Sequence, residues 1–161
     1  MVLLNLSIIS ARRERLAGEI IPVSAQQSRT YYGDEKTYGA ANAIDLDFQT
    51  KSDTTKGSDG TSWLKLTLGQ LYCVEQAVEF ESDGTTRQHT WTCTNSDCSN
   101  CVGQSCQRFP LTVTSEKAAA DNLPPVSNCK YGDTVTLTEI NGGYIGVWEI
   151  AVIGKQGETM Y

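Results

Sequence analysis

Four groups of residues in this 161-residue chain have the types and spacing to do chemistry. The first is the oxygen-rich run Asn42-Ala43-Ile44-Asp45-Leu46-Asp47-Phe48-Gln49-Thr50-Lys51-Ser52. Carboxylates, amides, hydroxyls and backbone carbonyls are what a hard cation such as calcium collects, roughly six to eight at a time. The run is not an EF-hand loop, because the spacing, the mid-loop glycine and the closing glutamate are missing. On composition alone it reads as an acidic surface loop.

The second group is Cys93-x4-Cys98-x2-Cys101-x4-Cys106, flanked by Cys73 and Cys129. Its first three members have plant-type ferredoxin spacing, with Ser99, Asn100 and Gly103 small or polar around them, so a [2Fe–2S] electron carrier is one alternative. A cluster would leave Cys106 spare and Cys73 unexplained, and the helices of such a ferredoxin are missing. Disulfide pairing uses all six cysteines and points to an oxidising, extracellular compartment. Six cysteines allow about 15 pairings, and the sequence does not choose among them. Pairing within 93–106 would leave Cys73 for Cys129.

Third is His89, the only histidine, through which any Ser-His-Asp or Cys-His arrangement would have to run. It follows a turn signal and leads into a strand, the setting of a partner-binding side chain more often than of a general base. No nucleophile elbow, phosphate loop or metalloprotease helix accompanies it, and the chain is read as non-catalytic. Fourth are the aromatic residues Tyr31, Tyr32, Tyr38 and Trp91. Their faces can bury the C–H surface of a sugar while basic donors fix its hydroxyls.

The elements that must position these groups are strands. Trp63-Leu64-Lys65-Leu66-Thr67-Leu68 alternates with period two, and Val78 and Phe80 oppose Glu79 and Glu81. Gly69-Gln70 reads as a turn between these two strands, and Ser82-Asp83-Gly84 as a hairpin turn into a strand over 87–94. Phe109, Leu111 and Val113 alternate again, then Val135 and Leu137, and a last strand runs from Tyr144 to Ile153. Ile20-Ile21-Pro22-Val23 is an edge or strand start. Only 12–17 and 115–123 have room for a short helical turn. The expectation is an all-β, antiparallel, disulfide-stapled sandwich over residues 20–155. Trp63 and Trp148 read as core, and Tyr31 and Tyr32 as either core or rim. Residues 1–19 read as an N-terminal extension or degraded leader, since Arg12-Arg13-Glu14-Arg15 follows an apolar stretch instead of preceding it. Residues 156–161 read as a tail.

The net charge of -6 and pI near 4.7 disfavour a phosphate backbone as partner. Four Arg against two Glu in the first thirty residues leave the remaining body more acidic still. No apolar run approaches the roughly 18 residues of a membrane helix.

In order along the chain, these pieces resemble the galactose-binding-like sandwiches: discoidin or coagulation factor C-type domains and fucolectins. Ala25-Gln26-Gln27-Ser28-Arg29-Thr30-Tyr31-Tyr32 and Ala40-Ala41-Asn42-Ala43-Ile44-Asp45 are similar to the family's opening. Ser62–Gly69, Tyr72–Phe80 and Glu149–Gly154 are similar to its strands. The resemblance implies a discoidin-like jelly roll and a structural Ca2+ held from both ends of the chain. Asn42, Asp47 and Trp148 would offer carbonyls, Asp45 and Glu149 carboxylates, and Thr50 or Ser52 a hydroxyl. It also implies an extracellular lectin-like module whose partner is a glycan or glycoprotein.

The family's fucose-binding triad is not present. The loop 53–61 has no histidine, leaving Lys56, Arg87, His89 and Tyr32 as a substitute ligand-binding set. The cysteine-rich insert 93–106 could itself be a recognition loop. The rival from another class is an adhesion or matrix domain that binds proteins through the same loops. The loop 53–61 is polar throughout, which disfavours membrane insertion.

Overall fold

The computed structural model describes residues 12–89, 111–115, 129–139 and 143–156. The cysteine cluster 93–106, Trp91, Phe109 and the possible turn at 116–123 lie outside the described residues. In chain order the elements are β1 (Glu19–Ile20), β2 (Ser24–Gln27), α1 (Glu35–Tyr38), β3 (Ser52–Asp53) and β4 (Ser62–Phe80). They continue with β5 (Thr86–His89), β6 (Leu111–Thr114), β7 (Lys130–Glu139), β8 (Gly146–Val147) and β9 (Glu149–Gln156). All strand pairings are antiparallel.

The period-two leucines do what their spacing requires. Leu64, Leu66 and Leu68 are buried, while Trp63, Lys65 and Thr67 between them are half-exposed. Each buried leucine stabilises the fold by roughly 1.5–3 kcal/mol. Leu111, Val113, Val135 and Leu137 are buried in the same core cluster, with Val74, Ala77, Ile150 and Val152.

The expected turn at Gly69-Gln70 is instead a bulge inside one long strand. The pairing of β4 with β7 continues on both sides of it, from Thr67↔Thr134 to Tyr72↔Gly132 with a register shift between. Gly69 has φ 85°, and a Cβ there would lie 2.9 Å from Val23 Cγ1. A left-handed backbone with no side chain is what this position demands. β7 stays beside β4 across the bulge as far as Val74, while β2 pairs with β4 only before it and β9 and β5 only after it. A strand that changes neighbours at a bulge turns the corner of a sandwich, so both halves contribute to one core. At the loop end, β3 and β8 form a separate two-stranded pair.

Three local expectations change. Segment 28–51 carries short helical turns at Tyr31–Gly33 and Ala40–Ala43 as well as α1. The α1 turn is capped by Asp34, whose Oδ1 accepts from the Thr37 N–H at 3.1 Å. The last strand is divided at Trp148 into β8 and β9. Residues 12–19, set apart from the sandwich by sequence, are built into it: Glu19 pairs with Ile153, Arg12 bridges to Asp47, and the Arg13 side chain is buried. The hairpin turn stands as expected, with Glu81 N–H donating to Thr85 O at 2.8 Å. Among the described residues no helix is long and apolar enough to cross a membrane.

Cys73 in β4 is bonded to Cys129 at the entry to β7, with Cα atoms 5.3 Å apart. The strands are already neighbours there, since Val74 pairs with Lys130. The bond spans 56 residues, so it removes a long loop from the unfolded ensemble. Replacing both cysteines with alanine is expected to lower unfolding free energy by about 2–4 kcal/mol in urea titrations. An unchanged midpoint would show that strand pairing alone holds this edge.

Candidate functional site

The loop end is organised by a buried acid. Glu149 opens β9 and is 0% exposed. Its Oε1 accepts the Leu46 N–H at 2.7 Å, and its Oε2 accepts Arg13 Nε at 2.9 Å. The Arg13 guanidinium also donates to Glu19, from Nη1 at 2.9 Å and Nη2 at 2.6 Å, and lies 4.8 Å over the Phe80 ring. Arg13 N–H donates to Leu46 O at 2.7 Å. Leu46 itself has φ 66°, a left-handed conformation unusual for leucine and held by hydrogen bonds on both of its backbone groups.

Burial pushes the Glu149 carboxyl up to about 7, and the neighbouring Asp45 side chain adds to the rise against the lowering pull of Arg13 and the Leu46 N–H. For Arg13, burial is outweighed by its hydrogen bonds to Glu19 and Glu149, which raise it further. For Glu19, burial is outweighed by the Arg13 hydrogen bond, which holds the carboxyl below its ordinary range.

The residues expected to surround calcium come together but turn their oxygens to protein donors. Asp45 Oδ1 accepts the Asp47 N–H at 2.9 Å and Oδ2 accepts Thr50 Oγ1 at 2.6 Å. Asp47 Oδ1 accepts the Gln49 N–H at 2.8 Å, and the Asp47 carbonyl accepts from Thr50 N and Oγ1 at 3.3 and 3.1 Å. Ser52 is buried and donates to Gln27 Oε1 at 3.0 Å. Asn42 donates its amide to the carbonyls of Thr37 and Lys51 at 3.0 and 3.2 Å. Among the described residues no group of three or more His, Cys, Asp or Glu is disposed to hold a metal. With a guanidinium on Glu149 and both Asp45 oxygens engaged, this donor set does not fit a divalent cation.

The substitute ligand-binding set divides. Tyr32 is 83% exposed with φ 53°, its ring 4.2 Å from Tyr31, which meets Tyr38 edge-on at 5.4 Å. It is rim, not core. Lys56 is exposed in the adjoining loop, fixed by Thr55 N–H to Arg29 O at 2.7 Å. Arg87 and His89 belong to β5 instead. Arg87 pairs with Glu81 at 3.2 Å. His89 is 2% exposed with Nε2 2.9 Å from Glu79 Oε2, so it is a buried partner of β4 and not a surface ligand. Glu79 is buried for the same reason, although alternation had placed it outward.

Sequence reasoning missed a cleft of about 860 Å³ beside the tyrosines. Gln26, Ser28, Arg29, Glu35 and Trp63 line it, and Gly33, next to Tyr32, is part of its wall. Gln27 braces it, donating to Thr30 Oγ1 and the Tyr38 carbonyl at 2.8 and 2.9 Å, while Thr30 also donates to Glu35. Trp63 and Trp148, expected as core, are both half-exposed, each with a lysine ammonium 5.8 Å from the ring, Lys65 and Lys51 respectively. Lys51 also pairs with Asp53 at 3.2 Å. The missed signal was the polar alternation of β2 and β4: Gln26 and Trp63 sit on the faces opposite the buried leucines.

No family model matches the sequence, and no curated protein is similar enough to match it. Solved structures do match. A fucose-binding module of Streptococcus pneumoniae aligns over 86% of this chain and 98% of its own, with TM-score 0.52 and 15% identity. An F5/8 type C domain of a Bacteroides fragilis protein aligns over 83% and 91%, with TM-score 0.50 and 17% identity. The fold is discoidin-like. A third neighbour, a Clostridium perfringens module in complex with GalNAc-β-1,3-galactose, aligns over 81% and 94%, with TM-score 0.50 and 16% identity. On this discoidin-like frame the tyrosines, the cleft and the Arg13 cluster all belong to, or are anchored on, the segment between β2 and β4.

The Glu19 carboxyl has a definite pH signature. Its folded value lies below the unfolded one, so its contribution is complete above the ordinary carboxylate range and lost as pH falls through the depressed value. Glu19→Gln is therefore expected to cost roughly 1–3 kcal/mol at neutral pH. In melts across pH 7 to about 3, the variant's deficit should shrink towards acid. A deficit independent of pH would show that the ion pair is not its source.

Proposed function

We propose that this domain is an extracellular, non-catalytic carbohydrate-binding module whose ligand lies across Tyr32 and the Trp63 cleft. The observation that carries the reading is Tyr32. A tyrosine 83% exposed in a left-handed backbone, its ring packed at a tilt against a second tyrosine, is an aromatic surface held ready for a partner. The adjacent Tyr32 side chain raises the Tyr31 phenol above its ordinary value. Beside it, Gln26, Arg29 and Glu35 offer donors and acceptors around an indole face, the mixture a sugar needs.

The solved neighbours support a saccharide. The pneumococcal module binds fucose and the clostridial one was captured with GalNAc-β-1,3-galactose. The Cys73–Cys129 bond supports an oxidising compartment. Among the described residues the wall of the cleft holds one carboxylate, Glu35, engaged by Thr30, and the single histidine is paired elsewhere, which supports a binding role.

A glycan array followed by calorimetry on the best ligand tests this. Tyr32→Ala is expected to weaken binding about tenfold, equivalent to ~1.4 kcal/mol, with no change in melting temperature. Failure to bind any glycan, or equal affinity in the variant, would redirect the reading to a protein partner.

A further inference from the structure

The Arg13 cluster closes a ring through three distant parts of the chain. Arg13 N–H holds the Leu46 carbonyl, the Leu46 N–H holds Glu149, and Glu149 holds the Arg13 guanidinium, with sequence separations of 103 and 136 residues across the last two bonds. Nη1 of the guanidinium donates to Glu19 and the Glu14 carbonyl and Nη2 to Glu19, and its face is covered by Phe80. An arginine is charged at every accessible pH and carries its donors in a fixed planar fork.

We infer that Arg13 is a covalently tethered counter-cation that performs, at this end of the sandwich, the task a bound divalent cation would perform. It neutralises Glu149 at the head of β9 and fixes the 45–50 loop to it. Residues 12–19 are thereby an obligatory part of the domain, and the loops that carry the ligand surface keep their geometry without metal. A calcium ion would have to draw Glu149 and Asp45 away from donors they already hold. It would also have to approach a guanidinium at contact distance, where like charges repel strongly.

The test uses thermal melts of the full chain at pH 8, above the Glu149 value, in millimolar calcium and in chelator. The wild-type melts are expected to coincide, because an ion stabilises only if the native state binds it. Arg13→Ala is expected to melt on the order of 10 °C lower in chelator, the loss set by breaking a buried pair in a domain of this size. Calcium should then raise the melting point of Arg13→Ala, because the carboxylates of Glu149 and Glu19 lose the guanidinium that held them and become available to it.

A wild-type melt raised by calcium would overturn the inference. So would an Arg13→Ala protein as stable as wild type in chelator, or one lowered but indifferent to calcium, which would reduce Arg13 to an ordinary ion pair. If Arg13→Ala does not fold in chelator, Arg13→Lys decides. A melting point below wild type supports the role of the fork, and one equal to wild type refutes it.

Discussion

A carboxylate buried at the start of a core strand must find a counter-charge, and Glu149 is such a carboxylate. Left alone in an apolar interior it would cost several kcal/mol or remain protonated. Here the cost is offset by Arg13 and the Leu46 N–H. Several features depend on that solution: the left-handed Leu46, the Asp45–Thr50 turn, and the docking of residues 12–19 along β9. Removing the cation would free the segment that leads into β3 and hence the pair β3–β8 at the loop end.

The frame beneath it is set by one long strand. The bulge at Gly69 lets β4 serve both halves of the sandwich, so the start of β4 and the β8–β9 segment are held by a shared core. Above this frame the loops are stiffened locally. Asp59 and Asp83 each accept from the backbone and hydroxyl of the threonine two residues on, and Asp34 caps α1. Those hydrogen bonds hold all three carboxyls below their ordinary range. A ligand surface prepared in this way loses less conformational entropy on binding.

How much of this could be read from the sequence follows from the range of the interactions. The leucines of β4, the alternation in β6 and β7, and the turn at Asp83-Gly84 are short-range patterns, and they specified an all-β sandwich. The loop 42–52 was legible as a constellation because its residues are contiguous, and Glu149 was tied to it by resemblance. Arg13 was not legible, because its partner lies 136 residues away and the surrounding basic run looked like the flank of a leader. The available signal was Glu149 itself, an acid inside the apolar stretch Glu149-Ile150-Ala151-Val152-Ile153 that requires a cation from somewhere. His89 was misplaced for a similar reason: its partner Glu79 lies across the hairpin, so burial of the pair depends on register. Trp63 and Trp148 show the limit of hydropathy, since an indole can sit half-exposed under a lysine as readily as in a core.

Native-state hydrogen exchange of the Leu46 amide in metal-free buffer is the most direct measurement of the lock. Bonded to a carboxylate that Arg13 holds in place, this amide is expected to exchange as slowly without calcium as with it, and at the pace of the sheet amides of β9. Exchange at the rate of an open loop in metal-free buffer, slowed only when calcium is added, would contradict it.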